Sequence, residues 1–141
     1  MKIDRPARVS EGHGRDETIL IVVDDDASSI DLRNWLVGDG YAVRCARSAT
    51  EALASLKSTP VDLIFMDLML PDTDGLILCS TLRAQFATPT IVLNARHSDV
   101  DRALALQLGA LECLSKPLDR DEVLCQAQLA VSRPGANVGS R

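Results

Sequence analysis

The sequence predicts an α/β protein built on a doubly wound, five-stranded parallel sheet with helices on both faces. Three observations carry this. Apolar runs of strand length alternate with stretches whose apolar residues repeat at helical spacing, five of each. The first strand candidate, Thr18 to Val23, is apolar on both faces, as expected of a buried parallel strand. Their carboxyl ends carry carboxylates, an amide and a lysine, and that edge is where such sheets hold ligands.

Taken in order, Met1 to Glu17 mixes charge, Gly and Pro without period and reads as a flexible leader, with no role for His13 between its glycines. Thr18 to Val23 is the first strand, running into Asp24-Asp25-Asp26. Ser28 or Ser29 is expected to cap a helix to about Val37, with Leu32, Trp35 and Leu36 inward. Gly38-Asp39-Gly40 ends it, and Tyr41 to Ala46 forms the second strand. A helix opening at Ser48 or Ala49 carries the stripe Ala49, Ala52, Leu53 and Leu56 and stops at Pro60.

Leu63 to Met66 is the third strand and delivers Asp67 to the sheet edge. Pro71, Asp72, Asp74 and Gly75 are turn chemistry, leading into a helix from about Gly75 to Gln85 with Leu76, Cys79 and Leu82 inward. Pro89 introduces the strand Thr90 to Leu93, which ends at Asn94. Asp99 to Leu108 reads as a helix with Val100, Ala103, Leu104 and Leu108 on its core side, closed by Gly109. Leu111 to Leu114 is the last strand, followed by Ser115-Lys116-Pro117. Asp119 starts a final helix through Val123, Leu124, Ala127 and Val131. Residues 18–133 thus form one domain and 134–141 a tail or linker.

Composition narrows the function. With 3% aromatic residues among 46% hydrophobic ones, the core is aliphatic. A net charge of −5 argues against direct nucleic-acid binding by this domain. No apolar run approaches the ~20 residues that span a bilayer, and the N-terminus lacks a signal peptide's apolar core, so a cytoplasmic, membrane-free domain is expected. Cys45, Cys79, Cys113 and Cys125 are scattered and, even with His13 and His97, make a poor zinc site. They read as reduced, mostly buried thiols.

Asp24, Asp25 and Asp67 crowd negative charge at one edge, which is costly without a cation. Hard oxygen donors without His or thiolate suit Mg²⁺, which keeps waters and is completed by phosphate oxygens. Lys116 adds a mobile point charge that can meet a phosphoryl oxygen or pair with Asp67. A carboxylate nucleophile, a metal and a lysine are the parts needed to accept a phosphoryl group as an acyl phosphate. The alternative is a structural Asp–Lys network without metal.

Ile19-Leu-Ile-Val-Val-Asp24-Asp25-Asp26, Met66-Asp67-Leu-Met-Leu-Pro71 with Asp74-Gly75, and Ser115-Lys116-Pro117 together resemble the receiver domain of bacterial response regulators, from about Thr18 to Arg133. The run from Pro89 to Leu104 with the following Leu-Gly-Ala most resembles receivers attached to winged-helix DNA-binding domains. The resemblance implies a flavodoxin-like sheet of order 2-1-3-4-5. It implies Asp67 as phosphoacceptor, Asp24 and Asp25 as the acid pair, Met69 as a metal ligand through its backbone carbonyl, and Lys116 as the phosphate-contacting lysine. It also implies Mg²⁺, a sensor histidine kinase or phosphotransfer protein as donor, a cis Lys116–Pro117 bond, and a possible homodimer through the fourth helix, last strand and fifth helix.

Departures concern the switch. Asn94 stands where the family usually has Thr or Ser, Cys113 where it has Tyr or Phe, and Leu118 where Phe is frequent. The segment from Asp26 to Tyr41 is about one residue short, which leaves the register of the first helix open. A receiver-fold interaction module whose output no longer depends on phosphorylation is therefore the main alternative. An aspartyl-phosphate phosphohydrolase wants a second Asp two positions after the nucleophile, where this chain has Met69. A dinucleotide-binding domain needs a Gly-rich turn where the first strand here meets three aspartates.

Overall fold

The computed structural model describes residues 15–96 and 98–132; the leader's Met1 to Gly14, His97 and the tail lie outside the described residues. Five strands, β1 (Thr18–Val22), β2 (Ala42–Ala46), β3 (Leu63–Asp67), β4 (Thr90–Asn94) and β5 (Glu112–Ser115), alternate with five helices. These are α1 (Asp26–Gly38), α2 (Ala49–Ser58), α3 (Gly75–Phe86), α4 (Asp99–Gln107) and α5 (Arg120–Ser132). The strands pair in parallel in the order β2-β1-β3-β4-β5, the order the resemblance implied. The chain therefore reverses its direction of winding after β2, and the carboxyl ends of β1 and β3 lie side by side at that reversal.

Alternation along the strands sorts side chains into two aliphatic layers. Ile19, Ile21, Leu63, Phe65, Ile91 and Leu93 pack under α1 and α5 with Leu32, Leu36, Val123 and Ala127. Leu20, Val22, Ile64, Met66 and Val92 pack against Ala52, Leu56, Leu78, Leu82 and Ala105 of α2, α3 and α4. All these side chains are buried, so the cores of β1, β3 and β4 are apolar on both faces, whereas the edge strand β2 leaves Arg44 half-buried and Cys45 exposed.

Local differences from the sequence reading have physical causes. Asp25, rather than Ser28 or Ser29, caps α1, its carboxylate accepting from Ser28 N at 2.8 Å. Aspartate caps as well as serine, and starting earlier gives the helix another turn. Leu78, absent from the expected stripe of α3, is buried, while Leu76 is only partly so. The expected core side of α4 is wrong: Val100 is 68% and Leu104 40% exposed, Ala103 is exposed too, and only Ala105 is buried. Apolar residues surround this short helix, so two stripes competed. The one chosen contains Asp101, which the Arg96 guanidinium neutralises at 2.8 Å. Cys79 and Cys113 are buried but Cys45 and Cys125 are exposed, so half rather than most of the thiols are hidden.

Ordered contacts begin before β1. Arg15 N donates to Gly40 O, and its guanidinium bonds Asp39 and lies 4.8 Å over the Tyr41 ring, joining the last leader residues to the start of β2. No helix among the described residues is long and apolar enough to cross a membrane.

Candidate functional site

β3 is buried along its whole length and brings Asp67 to the sheet edge at 6% exposure. Lys116, just beyond β5, reaches it with Nζ 2.8 Å from Oδ1. The Lys116–Pro117 peptide bond is cis, as the resemblance implied. Burial pushes the Asp67 carboxyl above the ordinary carboxylate range. The Lys116 ammonium opposes the shift, and the charges of Asp25 and Asp24 add to it. A carboxylate that is buried, crowded by two others and matched by one lysine is under-neutralised.

The loop after β3 is held from three sides. Gly75 N donates to Leu68 O at 2.6 Å, and Met69 and Asp74 form an antiparallel bridge. Asp74 caps α3, accepting from Leu76 N at 2.8 Å. Asp72 crosses to α2, accepting from Ala49 N, Thr50 N and the Thr50 hydroxyl at 2.8–3.0 Å. These bonds hold the Asp72 carboxyl below its ordinary range. Gly75 is required for space: a Cβ there would lie 2.6 Å from the Asp67 and Leu68 carbonyl oxygens.

Asp24 and Asp25 follow β1 and are already engaged. Asp25 caps α1, and the same Ser28 hydrogen bonds lower its carboxyl from the usual range. Arg47, directly after β2, donates to the Asp24 carbonyl at 2.7 Å and approaches its carboxylate at 3.6 Å. It also pairs with Asp26 at 2.6 Å. Among the described residues no three carboxylate, imidazole or thiol groups converge into a closed cation cage. The donor set nevertheless fits Mg²⁺, which keeps several waters and uses one or two carboxylates plus phosphate oxygens rather than an all-protein cage.

A cleft of about 130 Å³ opens beside Asp67, lined among others by Met69, Asn94, Arg96 and Lys116. Asn94, at the end of β4, is 2% exposed and spends its amide on its own loop. Its Nδ2 donates to Ser98 O at 3.3 Å and its Oδ1 accepts from Arg96 N at 2.9 Å. Cys113 is buried under α4, and that burial raises its thiol. Asp67, Lys116, Asn94 and Met69 therefore share one cleft, while Cys113 sits beneath it in the core. Arg47, Arg96 and Asp72 escaped the sequence reading. For the two arginines the signal was the one used elsewhere, polar residues just past a strand end; Asp72 was visible only as turn chemistry.

A parallel sheet of this order, with an acidic edge facing a lysine, defines a receiver-type α/β domain. Residues 19–128 match the family model of the response regulator receiver domain, and the chain belongs to that family. Among solved structures it is similar to a response regulator from Chloroflexus aurantiacus J-10-fl, 32% identical over 84% of this chain and 100% of that one, with a TM-score of 0.80. It is similar to the receiver domain of NtrX from Brucella abortus, at 26% identity, 80% and 97% coverage and a TM-score of 0.77. It is also similar to the signal receiver domain of a histidine kinase from Syntrophus aciditrophicus, at 29% identity, 82% and 90% coverage and a TM-score of 0.75.

Proposed function

We propose that this receiver domain, residues 18–133, accepts a phosphoryl group on Asp67 from a sensor histidine kinase or phosphotransfer protein in a cytoplasmic phosphorelay. The observation that carries the reading is the buried Asp67 carboxylate, paired with Lys116 at 2.8 Å, on the rim of a cleft. A carboxylate oxygen of Asp67 attacks phosphorus, the bond from phosphorus to the donor's nitrogen or oxygen breaks, and the leaving group takes its electron pair. Lys116 turns from the carboxylate to a phosphoryl oxygen, so charge stays matched as it moves outward. Asn94 can donate its amide N–H to another oxygen if it releases Ser98. Attack by water on phosphorus later returns the carboxylate and inorganic phosphate. The chain catalyses only its own phosphorylation and dephosphorylation, so it acts as a signalling domain.

Asp24, Asp25, Asp67 and the Met69 backbone carbonyl would hold Mg²⁺. Bound there, the metal supplies positive charge to the phosphoryl oxygens. Incubation with Mg²⁺ and a small-molecule phosphodonor should add one phosphoryl mass, lost in Asp67→Asn and on chelation. An unchanged increment in Asp67→Asn would refute the assignment.

A second reading, an interaction module with attenuated or phosphorylation-independent switching, is favoured by Asn94 and Cys113. Asn94 is bonded into its own loop, and Cys113 is too small to exchange much volume between buried and exposed positions. On that reading a phosphoryl mimic leaves amide shifts unchanged beyond the loops at Asn94 and Lys116. A homodimer through α4, β5 and α5 remains part of the proposal.

A further inference from the structure

Two cations line the cleft beside Asp67, and the chemistry above uses one. Lys116 faces the carboxylate. Arg96 lines the same cleft but turns its guanidinium to Asp101 in the first turn of α4, Nη2 to Oδ2 at 2.8 Å. The side chains differ in freedom: Arg96 is 48% exposed and Asp101 16%. Around them the loop is closed by local hydrogen bonds. Arg96 N donates to Asn94 Oδ1, Asn94 Nδ2 to Ser98 O, and Asp101 N to Ser98 Oγ, which caps α4. The end of β4, the cleft and the start of α4 are thus one connected network.

While Asp67 is a carboxylate its nearest counter-charge is Lys116, and Arg96 has Asp101 as its better partner. An acyl phosphate replaces one negative charge by about two and presents three acceptor oxygens. A guanidinium meets such oxygens with a planar pair of donors that an ammonium lacks. The exposed arginine is the partner free to swing. Asp101, left half-hidden without a counter-charge, must then turn its carboxylate to water, which moves the first turn of α4.

Resting on the reading of Asp67 as phosphoacceptor, we propose that Arg96 is a phosphoryl-binding residue that exchanges Asp101 for the phosphoryl group, coupling the cleft to the first turn of α4. The route needs neither a hydroxyl at Asn94 nor an aromatic ring at Cys113. Asp101 is its holding partner and sets how readily Arg96 is released.

The test is a titration of the full chain with beryllofluoride and Mg²⁺, a non-covalent phosphoryl mimic, followed by amide chemical shifts. It uses wild type, Arg96→Gln, Arg96→Lys, Asp101→Asn and the Arg96→Gln/Asp101→Asn pair. Arg96→Gln should weaken binding about tenfold, within the usual range of coupling between sites. Arg96→Lys should recover part of that loss. Asp101→Asn should tighten binding severalfold, and should do nothing in the Arg96→Gln background, because Asp101 acts only through Arg96. The shifts at Asp101 and Arg102 seen in wild type should vanish in Arg96→Gln. Unfolding midpoints of each variant keep loss of fold from passing as loss of affinity. An Asp101→Asn effect that persists without Arg96, or unchanged binding by a folded Arg96→Gln, overturns the proposal alone. A wild type that neither binds the mimic nor gains a phosphoryl mass overturns the phosphoacceptor reading, and this proposal with it.

Discussion

Asp67 is held in a state that its surroundings oppose. Burial, then the charges of Asp25 and Asp24, raise its carboxyl, and Lys116 only partly compensates. A carboxyl raised in the folded state binds more protons there than in the unfolded chain, so stability falls as pH rises from the ordinary carboxylate value through the raised one. The penalty is absent below the unfolded value and complete above the folded value. Asp67→Asn, of nearly the same shape, carries no such charge. Without divalent cation it should unfold at a higher temperature than wild type at pH 7, and the gap should close as pH falls below the carboxylate range. A gap that widens on acidification would mean that the Lys116 pair outweighs burial. This residue and its partners were legible in the sequence because each ends an apolar run. Their engagements were not: that Asp25 caps α1 and that Asn94 bonds its own loop are decided by backbone geometry that the run of residue types leaves open.

The β3–α3 connection shows how an element is aimed at a site. Asp74 starts α3, Asp72 ties the loop to α2, and Gly75 lets the first turn of α3 pass against the backbone of Asp67 and Leu68. Gly75→Ala puts a methyl group into two carbonyl oxygens, so the loop must shift. It should cost about 1–3 kcal/mol, as overpacking does, measured by denaturant unfolding. The loop that carries Met69 would be displaced at the same time, so phosphodonor labelling should slow as well. An unchanged stability would show that the loop yields freely. The sequence marked Asp74 and Gly75 as a turn opening a helix and as part of the receiver-like motif, but not the close approach of Gly75 to the backbone of Asp67 and Leu68. The strands and the helix order were legible because unbroken apolar runs of strand length and the 3.6-residue apolar period are distinct signals. The rotation of α4 was not, because Val100, Leu104, Ala105 and Leu108 offer two overlapping stripes. The choice between them rests on Asp101, which reads as polar until Arg96 neutralises it.

At the scale of the molecule, α4 leaves Val100, Ala103 and Leu104 outward, and the neighbouring charge pair, Arg102 to Glu112 at 2.7 Å, is satisfied within the chain. The last helix carries Gln126 and Gln128 rather than basic residues between Val123 and Ser132. A dimer through α4, β5 and α5, as proposed above, would therefore rest on apolar contact rather than on charge pairs across the interface. Its association constant, by sedimentation equilibrium, should hold or rise from about 0.05 to 0.5 M NaCl, over which surface charge is progressively screened. A collapse with salt would restore charge as the organising force. Net charge and the parallel sheet were legible at this scale, since both follow from composition and period. Which charges cancel inside the chain was not, because Arg102 and Glu112 meet only when α4 folds beside β5.

Phosphorylation of Asp67 itself is open to reductive trapping. Protein treated with Mg²⁺ and a small-molecule phosphodonor is reduced with borohydride, which converts an aspartyl phosphate to homoserine, and its peptides are sequenced by mass spectrometry. Homoserine should appear at Asp67, dependent on phosphodonor and abolished by prior hydroxylamine. Homoserine at Asp24, Asp25 or Asp72 instead, with Asp67 recovered intact, would contradict it.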